Sequence, residues 1–238
     1  MSFKDHFSSK AAVYAKARPT YPPALFSALA GLAPGRTLAW DCGAGNGQAS
    51  LGLAAHFERV VATEPSAAQL AEAAPHPRVT YLPGAELAPS LAPGSVDLVT
   101  AAQAAHWFDR EKFYGEVRRV LRPGGAVALW TYALCQVTPE IDALVDRFYS
   151  EIVGPYWPPE RRHTESGYRE FAFPALAMEH EWTLDEFVTY LRTWSAVTRY
   201  TQALGVDPVT PLQRQLVQAW GSPRRLIRWP LRGRVGTV

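Results

Sequence analysis

Residues 37–50, TLAWDCGAGNGQAS, place Gly43, Gly45 and Gly47 directly after an apolar run and directly before a helix-forming one. That spacing predicts a strand turning sharply into a helix, because glycine reaches positive φ without a clash and lets another group come close to the backbone. The same alternation continues along the chain. The apolar runs RVVATE, RVTYL, SVDLVTAA and AVALWTY are interleaved with the helical stretches GQASLGLAAHF, SAAQLAEAA and DREKFYGEVRRVL. Parallel strands need long crossover connections, so this order predicts an α/β core over residues 36–132 built from βαβ units.

Punctuation by Pro and Gly sets the borders. Pro93-Gly94 precedes the fourth strand, and Arg122-Pro123-Gly124-Gly125 ends a helix and feeds the fifth. Residues 1–35 read as a helical cap of two short helices, SSKAAVYAKA and YPPALFSALAGLAPG. After Tyr132 the pattern lapses, and residues 133–180, with YWPPERRH and FAFPAL, read as a lid-like insertion over the sheet. Residues 181–238 are expected to supply two amphipathic helices, LDEFVTYLRTWSAV and VTPLQRQLVQAW, and an edge strand, RRLIRWPL. At 238 residues this is one elaborated domain, and a composition 47% hydrophobic excludes a chain that stays disordered.

Charge and cysteine content exclude other classes. Lys plus Arg number 24 against 22 for Asp plus Glu, which gives no reason to expect nucleic acid. The six arginines after Asp207 read as a solvated strand face. Cys42 and Cys135 lack Cys-x-x-Cys spacing, so neither a disulfide framework nor a metal site is expected. No apolar stretch is long enough to span a bilayer, and the charged start MSFKDHFSSK does not resemble a secretion signal. A cytoplasmic protein without membrane or nucleic-acid partners is expected; its oligomeric state is left open.

The loop also narrows the ligand. A dinucleotide fingerprint is Gly-x-Gly-x-x-Gly, but here the third glycine falls one position early and Gln48 stands in the expected place. Asp41 lies two residues before the first glycine. There it repels a pyrophosphate and attracts an ammonium, or else it is a buried hydrogen-bonding residue at a strand end. Glu64 ends the second strand, where a carboxylate accepts from both hydroxyls of a ribose or caps the helix that follows. After the third strand, Gly84, Ala85 and Glu86 form a turn able to read an adenine amino group, or one whose carboxylate is simply exposed.

DCGAGNG, the strand-terminal Glu64, GAE and VRRVLRPGGAVALW together resemble the successive motifs of the class I S-adenosylmethionine-dependent methyltransferases. YAKARPTYP, HWFD, GPYWPPERRH and TWSAVTRY are similar to the small-molecule branch that includes trans-aconitate methyltransferase. The resemblance implies a Rossmann-like, seven-stranded, mostly parallel sheet with helices on both faces. It implies S-adenosylmethionine as cofactor, held by Asp41, Gly43, Ala44, Gly45, Glu64, Ala85 and Glu86. Tyr14, Arg18, Trp107, Trp157, Arg161 and Arg162 would then close over the cofactor or meet a small acceptor; otherwise Tyr14 and Arg18 pack on the surface, and Trp157, Arg161 and Arg162 belong to a solvated loop. His106 orients the acceptor or takes a proton from it, or else packs beside Trp107. Asp109 is expected to cap the helix after it.

Methyl transfer from a sulfonium is a direct displacement, so the absence of a nucleophile triad is no obstacle. Gln103-Ala104-Ala105-His106 stands where methylases of nucleic-acid bases carry Asn/Asp-Pro-Pro-Tyr, which favours a small acceptor, either a carboxylate or a group that needs a base. Two other readings stay open at this point: a nicotinamide-dependent oxidoreductase, and a cofactor-binding module without turnover.

Overall fold

The structure, a computed structural model, describes residues 18–158 and 175–237. Strands β1 (Leu38–Cys42), β2 (Arg59–Glu64), β3 (Val79–Pro83), β4 (Val96–Ala102) and β5 (Leu121–Tyr132) pair in parallel in the order β3-β2-β1-β4-β5. β7 (Arg225–Thr237) adds antiparallel to β5, and β6 (Ala177–Trp182) antiparallel to β7, completing seven strands. The chain runs outward from β1 to β3 and then returns to β4 on the other side of β1. The crevice beyond the strand ends between β1 and β4 is where such sheets take ligands.

Alternation along the strands builds two cores. β1 turns Leu38, Trp40 and Cys42 to one face, where Phe113, Val117 and Val120 of α4 (Arg110–Val120) cover them. It turns Ala39 to the other face, toward α1 (Pro23–Leu32) and α2 (Gln48–Ala54) through Leu25, Leu29 and Leu53. That second core continues under α5 (Pro139–Arg147), α6 (Leu184–Arg192), α7 (Ser195–Leu204) and α8 (Val209–Trp220). Trp40, Trp130 and Trp229 are wholly buried in it or opposite it, so part of the tryptophan content serves packing. A short helix, α3 (Ala67–Ala71), follows β2.

Three expectations need correcting. LDEFVTYLRTWSAV forms two helices, because Thr193 turns back onto the Tyr190 carbonyl and Trp194 leaves the helix to pack on Phe148 and Tyr190. Burying that indole outweighs one more turn of helix. RRLIRWPL is not an edge strand: β7 lies between β5 and β6, pairing β6 through residues 225–230 and β5 through 231–237. Pro230 sits at the handover, where its missing N–H breaks no ladder and its carbonyl still accepts from Ala133. The segment 133–180 contains α5 and the edge strand β6, so part of it extends the sheet. Arg122-Pro123-Gly124-Gly125 follows the end of α4 and opens β5, as expected, with an irregularity between the Leu121 and Ala126 pairings. The first expected helix, SSKAAVYAKA, lies outside the described residues.

Candidate active site

The glycine loop takes its shape from three left-handed residues, with φ of 69° at Gly43, 58° at Gly45 and 82° at Gly47. At Gly43 a side chain is excluded twice, since a Cβ there would stand 2.5 Å from that of Ala104. The first three N–H groups of the loop are bonded to β2. Gly43 and Ala44 donate to the Thr63 carbonyl at 2.8 and 3.0 Å, and Gly45 donates to Glu64 Oε2 at 2.9 Å. Ser66 N donates to Glu64 Oε1 at 2.9 Å, and Ser66 in turn caps α3. The loop is thus tied to β2 rather than shaped as an anion cradle.

Around it lies a cleft of about 780 Å³, lined by Gly43, Ala44, Gly45, Glu64, Ala85 and Glu86. Asp41 is not among its lining residues. It is fully buried behind the loop, accepting from Ser50 Oγ at 2.6 Å and Thr100 Oγ1 at 2.9 Å. Burial pushes its carboxyl up to about 6, against the pull of those two hydroxyls. Both bonds come from neighbouring elements, α2 and β4, and hold the carboxylate at the end of β1. The turn at Ala85 is pinned from below, its carbonyl accepting from Thr63 Oγ1 at 3.2 Å and the Cys42 thiol at 3.4 Å. Burial pushes both cysteine thiols up, so neither is poised as a nucleophile.

A second, smaller pocket of about 50 Å³ adjoins the cleft and shares Arg18, Gln103, His106, Trp107 and Tyr132 with it. Trp157, Tyr190 and Trp194 wall its far side. Arg18 reaches in from the chain before α1, donates to the Tyr132 hydroxyl and the Thr193 carbonyl, and sits 5.3 Å from the Tyr190 ring centroid. Trp157 is fixed by its indole N–H on the Tyr149 carbonyl at 3.2 Å. His106 lies in the short turn Ala105–Trp107, its ring 4.7 Å from that of Trp107, so it both lines the cavities and packs on its neighbour. Asp109 caps α4, accepting from Lys112 N. Tyr14, Arg161 and Arg162 lie outside the described residues.

Several side chains at the site have no counterpart in the expected set. Gln48, standing where a dinucleotide fold has its third glycine, donates to the Pro19 carbonyl at 3.1 Å and holds the entering chain against the loop. Gln69, on α3, is 4% exposed and lines the cleft, and its Oε1 has no hydrogen-bond partner among the described residues. Gln103 and Tyr132 stand between the two cavities. The departure at Gln48 and the glutamine in Gln103-Ala104-Ala105-His106 were visible signals; a polar residue on a five-residue helix carries none.

Comparison with known proteins agrees with this architecture. Residues 40–129 match a family described as a methyltransferase domain. A Dictyostelium discoideum protein that carries the name methyltransferase is 34% identical over 229 residues, 92% of this chain and 87% of its own length. A solved structure described as a type II methyltransferase from Anaeromyxobacter dehalogenans is 49% identical, with a TM-score of 0.84 over 92% of this chain and 97% of that one. A methyltransferase structure from Anabaena variabilis, at 18% identity and a TM-score of 0.57 over 89% of this chain and 98% of that one, shares the fold.

Proposed function

The chain belongs to the class I S-adenosylmethionine-dependent methyltransferases, and from that membership we propose that it methylates a small molecule on a carboxylate oxygen, giving a methyl ester. The residues present fit the cofactor. The N–H groups of Gly43, Ala44 and Gly45 are bonded to β2 and not offered to a pyrophosphate, while Glu64, Glu86 and Gln69 Oε1 give the cleft acceptors. Acceptors suit a cationic ligand rich in hydroxyl and ammonium donors. In this reading Glu64 and Gln69 hold the ribose, and the Ala85–Glu86 turn meets the adenine.

S-adenosylmethionine bound there would supply an electrophilic methyl carbon to an acceptor oxygen, its sulfur being the leaving group that keeps the electron pair of the C–S bond. The protein's part is to orient that oxygen and to exclude water. Arg18 is the carboxylate anchor of this reading, its planar guanidinium already ordered by Tyr132, Thr193 and the Tyr190 face. A carboxylate is ionised at neutral pH and needs no base, so His106 has only to shape the wall. Trp157 and Trp194 supply the water-excluding side.

The observation that carries the proposal is the shared wall: Arg18 lines both the cleft and the aromatic pocket, and no acidic side chain is among the described residues lining that pocket. The test is release of S-adenosylhomocysteine across panels of organic acids, phenols and amines. Turnover with an acid is the expected result; turnover confined to phenols or amines would overturn it.

A further inference from the structure

Gln103 is the single residue other than glycine at positive φ among the described residues, at 55°. Glycine would take that conformation without strain, so what the position gains from glutamine is its side chain. Both the backbone and one end of the amide are fixed from β5. Gln103 N donates to the Trp130 carbonyl at 2.9 Å, and the buried Thr131 hydroxyl donates to Gln103 Oε1 at 2.9 Å. Oε1 is thus engaged, Gln103 lines both the cleft and the pocket, and the other end of its amide, Nε2, is a donor.

We propose that Gln103 orients the methyl acceptor, its Nε2 donating to an oxygen of the attacking group, with Thr131 as the positioning residue that sets the amide's direction. The assignment rests on the reading above that the acceptor attacks through oxygen. A neutral donor suits this place better than a second cation. It fixes direction while leaving more of the oxygen's electron density for the methyl carbon, and Arg18 already supplies the charge on the same wall.

Calorimetry on the full chain separates this role from a purely structural one. Two ligands are compared: S-adenosylhomocysteine, and the S-adenosylmethionine analogue whose transferable methyl is replaced by carboxymethyl, which carries carboxylate oxygens beside the sulfur. Gln103→Glu should weaken the analogue at least tenfold by setting carboxylate against carboxylate, and Gln103→Leu at least fivefold. Thr131→Val should give a smaller loss in the same direction. Affinity for S-adenosylhomocysteine should stay within about twofold in all three. Gln103→Gly, which relieves the backbone, should melt no lower than wild type and still lose the analogue as the leucine variant does. Equal losses for both ligands, no loss for either, or an analogue that wild type does not bind would each overturn the proposal. These arms do not depend on the acid screen, so an acid substrate with failed arms leaves the function standing without Gln103, and successful arms with a phenol substrate do the reverse.

Discussion

Asp41 is fully buried beside the glycine loop, where its charge works against the fold at neutral pH. Its carboxyl is pushed from 3.8 to about 6, chiefly by burial. Below pH 4 it is protonated in folded and unfolded chains alike. Between about pH 4 and 6 the unfolded chain gives up the proton while the folded one keeps it, so this group's contribution to stability falls as pH rises, by about 3 kcal/mol at pH 7. Asp41→Asn, which keeps the shape without the charge, should therefore be more stable at pH 7 by about 1 to 3 kcal/mol. The difference should shrink toward zero by about pH 4 in urea titrations. Glu64→Ala removes an acceptor pair at the cleft and should raise the S-adenosylhomocysteine Kd by about ten- to a hundredfold in calorimetry; an unchanged isotherm would reduce Glu64 to a loop tie. Glu64 was legible because an acid ending the second strand is a positional signal. Gln69 and Tyr132 were not, because their place at the cavities depends on which face of α3 and β5 meets which partner.

At the scale of elements, the strand-loop-helix unit was the most legible part of the chain, since no other local structure needs three glycines at that spacing. Its glycines differ in what they tolerate. Gly43→Ala adds a left-handed penalty of about 1 to 2 kcal/mol to a clash with Ala104, and should cost about 2 to 4 kcal/mol by urea unfolding. Gly45→Ala meets nothing nearer than Gln69 Oε1 at 3.9 Å, so it should cost about 1 to 2 kcal/mol in stability and lower S-adenosylhomocysteine affinity as well. Equal effects of the two on stability would contradict the close approach of the Ala104 segment. Where elements were misread, tertiary packing had overridden local pattern. The helix break at Thr193 depends on the pocket that Trp194 fills, and the alternating RRLIRWPL motif could not reveal that β6, from a Pro- and aromatic-rich stretch, would pair with it.

For the whole molecule, the order of the strands decides where chemistry can occur. The outward and returning halves of the chain open a crevice between β1 and β4, and the C-terminal elements wall its far side with Tyr190 and Trp194. Burial of Tyr190, whose hydroxyl accepts from Trp229, pushes its phenol up and keeps it protonated. Arg18→Met should lower kcat/KM for the acid at least tenfold, about 1.4 kcal/mol, and leave S-adenosylhomocysteine affinity nearly unchanged. With a carboxylate acceptor, kcat/KM should stay nearly flat between about pH 6 and 9; a histidine-like rise would assign His106 a proton to remove. The central claim is ester formation, and it is tested most directly by the fate of the methyl group. Product made from S-adenosylmethionine carrying a tritiated methyl, then treated with mild base, should release the label as volatile methanol, as a methyl ester must. Label that stays with the involatile product would identify an ether or an N-methyl group and contradict it.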